Sequence, residues 1–245
     1  VFECGSPTLE ADITAWLATA SATDNCTLTP TETVTRINTI NQCGNTEKRL
    51  YQITATDASG NTSQCFVEAS ITDNTLPVIT TTAANLTVQC DGNGNSDALI
   101  NWLNTNGGAV ATDAACGNEL TWSNNFTGLS DGCGGTGSTT VIFTVSDACG
   151  NTITTTATFT IEDTTNPTIT APSAITLLCG SASNNAIVQG WLDSYRVSDA
   201  CGNITVTNNY TALPTTCLSG SNVVTITFTA TDECGRTSTT TSTIT

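Results

Sequence analysis

The 245-residue chain contains no histidine and no methionine, and its only basic residues are Arg36, Lys48, Arg49, Arg196 and Arg236. Without histidine, neither a serine–histidine nor a cysteine–histidine nucleophile can be assembled; paired carboxylates could in principle cleave sugars, but most of the aspartates fall in predicted turns. Five bases against 21 acids leave a net charge of −16. That balance offers no basic face to nucleic-acid phosphates and is repelled by anionic lipid headgroups. Aromatic residues make up 5% of the chain, too few for an extended set of stacking platforms. No apolar run approaches the roughly 20 residues that span a bilayer, so membrane insertion is not expected. No signal-peptide pattern opens the sequence, which reads as mature or as a fragment.

What is present is threonine and cysteine. Threonine supplies 54 of the 245 residues, and a β-branched polar side chain suits strands with one wet face. Twelve cysteines in a chain without histidine point to disulfides and an oxidising, extracellular compartment. All twelve (Cys4, Cys26, Cys43, Cys65, Cys90, Cys116, Cys133, Cys149, Cys179, Cys201, Cys217 and Cys234) are expected to be oxidised.

The sequence repeats. Cys4 and Trp16-Leu17 recur at the same spacing as Cys90 with Trp102-Leu103 and Cys179 with Trp191-Leu192. Asp57-Ala58-Ser59-Gly60-Asn61 recurs as Asp147-Ala148-Cys149-Gly150-Asn151 and as Asp232-Glu233-Cys234-Gly235-Arg236. The stretch Ile71 to Pro77 is matched by Ile161 to Pro167. Proline removes a ladder donor and biases its predecessor to extended backbone, so it punctuates strands. The boundaries are therefore placed at residues 1–76, 77–166 and 167–245, with repeat 1 lacking the first strand and repeat 3 stopping short of the next linker.

Within each repeat the residues before the turn alternate. Tyr51, Ile53 and Ala55 share one face, as do Val141, Phe143 and Val145, and Ile226, Phe228 and Ala230. Beyond the turn Val67, Ala69 and Ile71 correspond to Ala157, Phe159 and Ile161. Period-two alternation on both sides of an Asp-x-x-Gly turn predicts a hairpin with one buried face. Leu9, Ile13, Trp16 and Leu17 fall at helical spacing, as do Leu99, Trp102 and Leu103. Each repeat is thus expected to carry a short helix whose tryptophan plugs the core, capped in repeat 2 by Ser96 or Asp97 and ended by Gly107. The expected fold is all-β: tandem immunoglobulin-like β-sandwich repeats, each with a short helix and disulfides.

The turn ending in Gly-Asn, the Asp163-Thr164-Thr165-Asn166-Pro167 linker, the Trp-Leu pairs and the cysteine quartets resemble the hyalin-repeat (HYR-like) family, in its four-cysteine form from bacterial surface proteins. The resemblance covers the whole chain. It implies an immunoglobulin-like fold and a role in cell adhesion. Similar arrays occur in giant adhesins of gliding Bacteroidetes exported by the type IX system. Repeat 1 departs from the pattern, with Ser59 in the turn where Cys149 and Cys234 stand, and its fourth cysteine at Cys65.

Two kinds of site follow. The cysteines lack the close pairs of zinc sites, and within-repeat disulfides are expected: Cys4–Cys65 and Cys26–Cys43, then Cys90–Cys133 and Cys116–Cys149, then Cys179–Cys217 and Cys201–Cys234. In immunoglobulin-like topology a linker aspartate meets the loops at the start of the next repeat. Asp73 should then face Asp113 and Asp147, and Asp163 should face Asp199 and Asp232, giving oxygen cages for calcium at the repeat junctions. The same aspartates also serve as turn residues that bond their own backbone.

The sequence therefore reads as a non-enzymatic structural or adhesive segment of a long extracellular, cell-surface repeat protein. Its expected partners are surface glycans or other cell-surface proteins, with self-association into filaments. The alternative is a carbohydrate-binding module array attached to a secreted enzyme, for which Trp122 and Tyr210 are the candidate platforms.

Overall fold

The computed structural model describes residues 1–245 except 26–28, 114–115, 118 and 216–221. The chain begins with β1 (Phe2–Glu3), α1 (Leu9–Leu17), β2 (Thr31–Asn41), β3 (Glu47–Thr56) and β4 (Thr62–Thr72). Next come β5 (Val78–Thr81), β6 (Leu86–Gln89), α2 (Ser96–Asn104), β7 (Val110–Thr112), β8 (Thr121–Asn124), β9 (Gly137–Ser146) and β10 (Thr152–Glu162). The last stretch holds β11 (Thr168–Thr170), α3 (Asn184–Leu192), β12 (Arg196–Ser198), β13 (Ile204–Asn208), β14 (Val224–Asp232) and β15 (Thr237–Ile244). The fold is predominantly β, with several sheets, short helices and disulfides.

Two compact units form: residues 1–84, 105–125 and 141–157 make the first, and residues 85–104, 126–140 and 158–245 the second. In the first unit a sheet is ordered β1-β4-β3-β2. The hairpin β3–β4 pairs from Glu47 opposite Ile71 to Thr56 opposite Thr62, and β1 lies parallel to β4 with Phe2 opposite Ile71. The alternation predicted from sequence is present: Tyr51, Ile53, Ala69 and Ile71 are buried. Tyr51, Ala69 and Ile71 meet Ile13 of α1 and the half-buried Trp16, which packs edge-on to Phe2 at 5.8 Å. Arg49 fixes α1 to the sheet, its guanidinium donating two bonds to Glu10 (2.7 and 2.9 Å) and Nε to Glu47 (2.6 Å). Also in this unit, β5 pairs with β7, and Trp122 of β8 lies opposite Val145 of β9.

In the second unit β6 runs parallel to the end of β10, Leu86 opposite Phe159. Trp102 of α2 covers Phe159 at a ring separation of 5.5 Å. A three-stranded sheet β13-β14-β15 carries Ile226, Phe228 and Ala230, all buried. Trp191 of α3 stacks edge-on to Phe228 at 5.7 Å, and its Nε1 donates to the Ser173 carbonyl at 2.6 Å. Trp102 and Trp191 are thus core plugs, as their helical stripes predict. The expected caps Ser96 and Asp97 lie inside α2 rather than before it. The residue before the helix is Asn95, in left-handed backbone (φ 51°), whose N–H donates to Asp91 Oδ1 and whose carbonyl accepts from Leu99.

The disulfides differ from the expected pairing. Cys4 bonds Cys116 and Cys43 bonds Cys149 in the first unit, and Cys90 bonds Cys201 and Cys133 bonds Cys234 in the second. Each bond joins successive repeats, 101 to 112 residues apart, so the within-repeat pairs Cys4–Cys65, Cys90–Cys133, Cys116–Cys149 and Cys201–Cys234 do not form. The reason lies in the short parallel strand. β1 runs beside the end of β4, so the Cys4 N–H bonds the Thr72 carbonyl at 2.8 Å. Cys4 thereby sits where repeat 1 hands over to its linker, far along the sheet from Cys65, which lies opposite Ile53. Cys65 is a free, exposed thiol, against the expectation that it is oxidised. Cys179 is disulfide-bonded. Cys26 and Cys217, and with them the expected Cys26–Cys43 and Cys179–Cys217 pairs as such, fall outside the described residues, although Cys43 is already committed to Cys149.

Candidate functional site

The acidic site of the first unit grows out of three strand ends. Asp73 follows β4, Asp113 follows β7 and Asp147 opens the β9–β10 turn. One carboxylate oxygen from each lies within 4.8 Å of the others, and Asp113 and Asp147 are 4% and 6% exposed. The structure therefore brings together the three aspartates that the linker argument placed in one group.

Asp147 is held by its own turn. Its Oδ1 accepts from the N–H groups of Cys149 (2.8 Å) and Asn151 (2.9 Å), and its Oδ2 accepts from Asn151 Nδ2 at 2.8 Å. Burial raises its pKa, but the Asn151 side chain and the N–H groups of Asn151, Cys149 and Gly150 outweigh burial and hold the carboxyl below its ordinary value. Asn151 also donates to the Asp73 carbonyl at 3.3 Å, and Asp73 Oδ1 accepts from the Thr75 N–H and hydroxyl. A carboxylate has about four lone-pair positions, so Asp147, with three bonds, keeps room for a cation.

The second set does not assemble in the same way. Among the described residues Asp163, Asp199 and Asp232 form no such three-carboxylate group. Two sequence changes account for this. Asp113 precedes its cysteine by three positions, Asp199 by two, and Asp199 Oδ1 is used on the Cys201 N–H at 2.7 Å. Arg236 occupies the place of Asn151. Its N–H bonds Asp232 Oδ1 at 2.9 Å, while its Nε turns to the Asp163 carbonyl at 2.8 Å. Asp232 Oδ2, which an asparagine in the place of Arg236 would serve as Asn151 serves Asp147, is buried without a hydrogen-bond partner, as are Asp163 Oδ2 and, in the first unit, Asp113 Oδ2. Burial raises the pKa of Asp163, yet donors from Thr165 and Gln89, and the charge of Arg236, leave it below its ordinary value. Asp163 also approaches Cys90 and Cys201, but both sulfurs are in a disulfide and present no thiolate to a metal.

Beside each site the chain makes a close backbone approach. Gly44 follows Cys43 with φ +53°, and a Cβ there would strike the Cys116 carbonyl, to which the Asn45 N–H bonds at 2.7 Å. Gly134 follows Cys133 with φ +56° and approaches the Cys201 carbonyl in the same way. The Cys-Gly pairs were the sequence signal for this docking. Asp24 and Asp57 border a cavity of about 450 Å³ shared with Ile53, Ala55 and Cys65. Of the two candidate sugar platforms, Trp122 is half-buried and Tyr210 packs against the core of the second unit.

No family model matches the chain, and no curated protein does. Among solved structures it is similar to protocadherin gamma C5 EC1-3 (12% identity, TM-score 0.35, covering 82% of this chain and 78% of that one). It is also similar to mouse clustered PcdhgC3 EC1-3 (11%, 0.31, 82% and 78%) and to Drosophila N-cadherin EC1-4 (9%, 0.30, 88% and 66%). Each is a distant resemblance. Among the described residues no helix is long and apolar enough to cross a membrane.

Proposed function

We propose that this chain is a structural and adhesive segment of a long extracellular repeat protein at a cell surface, and not an enzyme. The observation that supports this reading best is covalent: every paired cysteine bond whose partners are described joins one repeat to the next. An enzyme needs a converging set of reactive groups, whereas a chain stapled at each repeat step is suited to holding distance and bearing contacts. The hyalin-repeat family, the bacterial adhesin setting and export by the type IX system belong to this proposal, as do the repeat boundaries near Pro77 and Pro167. Its partners would be cell-surface proteins or glycans, including further copies of the chain in filaments.

Calcium is the cofactor in this reading. Asp73, Asp113 and Asp147 offer an oxygen-only donor set that suits a hard cation. Close carboxylates repel one another without a counter-charge, so the ion would supply electrostatic compensation there. Asp163, Asp199 and Asp232 would hold calcium more weakly, because Arg236 already places a positive charge beside Asp163.

The test of the function is retention of beads coated with the intact chain on cell, glycan and protein surfaces under flow. Retention on a surface supports adhesion, while glycan binding abolished by Trp122→Ala would replace it with the carbohydrate-binding reading. For calcium, a site of about 10⁻⁴ M in 2 mM ion adds roughly 2 kcal/mol, read as a higher melting temperature than in EDTA. Asp73→Ala should remove that difference, and an unchanged melting temperature in the parent chain would refute the site.

A further inference from the structure

The disulfides do more than fasten neighbouring repeats; together they set how far the chain can be drawn out. Tension on a crosslinked polymer follows the shortest covalent route. From the N-terminus that route runs along residues 1–4, crosses the Cys4–Cys116 bond, follows residues 116–133, crosses the Cys133–Cys234 bond and leaves along residues 234–245. It uses 34 of the 245 residues. The remaining residues, including β2–β4 and their hairpin turn, hang on closed loops off the route.

We propose that this chain is a tension-bearing element whose load passes through a covalent bypass, so that most of each repeat is shielded from stretching. The inference rests on the stalk reading only for its biological use; the bypass itself follows from connectivity. The segment 116–133 carries the whole load between the two crossings. It contains β8, paired antiparallel to β9 over Thr121–Asn124. The second bond at each repeat step, Cys43–Cys149 or Cys90–Cys201, provides an alternative route if the first is lost.

The lengths are distinct enough to measure. At about 3.6 Å per extended residue, the oxidised chain cannot exceed about 120 Å plus its two disulfide crossings. The reduced chain would reach about 880 Å on the same scale. Removing one bond with Cys4→Ser and Cys116→Ser reroutes tension through residues 1–43, 133–149 and 234–245, 72 residues in all. That is about 260 Å. Pairing confined to each repeat would instead leave a route of 106 residues, about 380 Å.

The experiment is single-molecule stretching of the intact chain, held at its two ends, to forces that unfold all non-covalent structure. It is run oxidised, reduced, and as the double variant. A maximum length near 120–130 Å that doubles in the variant and rises about sevenfold on reduction establishes the bypass. An oxidised length near 380 Å or longer overturns it. The reading does not depend on the variant folding natively, because contour length reports covalent connectivity alone; peptide mapping of the same samples identifies the bonded pairs. Failure of the disulfide-bonded chain to hold to any surface under flow would sink the adhesive function and leave the bypass standing.

Discussion

Gly44→Ala should damage the first repeat step far more than the same change at Gly60, although both glycines have left-handed backbone. Gly60 has φ +85° and open space where a Cβ would stand, so its substitution carries only the left-handed penalty of roughly 1–2 kcal/mol. Gly44 has φ +53° and faces the Cys116 carbonyl. There a methyl group adds overpacking against backbone, about 1–3 kcal/mol. It also disturbs the 2.7 Å bond from the Asn45 N–H to that carbonyl, which is about 1 kcal/mol more. The expected totals are about 3–6 kcal/mol at Gly44 against about 1–2 at Gly60. For a chain of this size each kcal/mol moves the melting temperature by about 2–4 °C. Calorimetry on the oxidised proteins reads the difference. Mass spectrometry of alkylated samples reads a second consequence, a smaller oxidised fraction of Cys43–Cys149, whose Cα atoms must come to 5.0 Å. Equal melting temperatures for the two variants would refute the close-approach argument.

Three further outcomes can be checked by denaturation. Asp147 and Asp163 both have carboxyls held below their ordinary range, so the stability they contribute is present above the unfolded value of about 3.9 and is lost as pH falls through their lower folded values; the urea midpoint should be insensitive to them between pH 7 and 5 and decline below about pH 4. Arg236→Asn should be stability-neutral within about 1 kcal/mol, because an asparagine there can serve Asp232 Oδ2 as Asn151 serves Asp147, whereas Arg236→Ala should cost about 1–3 kcal/mol; equal losses in the two variants would contradict the proposed exchange of donors. A double-mutant cycle on Arg49→Met and Glu10→Gln should give a coupling of only about 0.2–1 kcal/mol, since the Glu10 side chain is 74% exposed and screened by solvent, and a coupling above about 2 kcal/mol would mean that the pair is better shielded than the structure has it.

Much of the fold was legible because it is local. Val141, Phe143 and Val145, and Ile226, Phe228 and Ala230, are all buried, because strand pleating fixes sidedness every second residue whatever surrounds the sheet. The helices α1, α2 and α3 were legible from Trp-Leu spacing for the same reason. Parity failed at Cys65. It shares the inward phase of Val67, Ala69 and Ile71 yet is exposed, since residues 62–66 of β4 are all exposed at that end of the strand. Alternation tells which face a residue occupies; it does not tell how far along the strand the covering layer extends.

Disulfide partners were illegible for a related reason, and the acidic site shows what would have revealed them. The linker reasoning put Asp73 beside Asp113 and Asp147 by asking where a repeat ends and the next begins. Applied to cysteine, the same question places Cys4 at the exit end of repeat 1, because the strand that precedes it runs parallel to the last strand and finishes beside Thr72. A cysteine at that end has the next repeat's Cys116 as its neighbour, with Cα atoms 5.6 Å apart. The offset repeats almost unchanged as Cys90 to Cys201, 111 residues against 112. Two bonds per step also make energetic sense. Closing a loop of about 100 residues restricts the unfolded chain by roughly 4–5 kcal/mol in the chain-entropy picture, more than a short within-repeat loop would. Interleaved loops share part of that restriction, so the four contributions do not add in full. The long connections also secure what short ones cannot: they hold Cys43-Gly44 against the Cys116 carbonyl and Asp73 against Asp147, so the acidic group and the close backbone approach persist at the same end of the repeat.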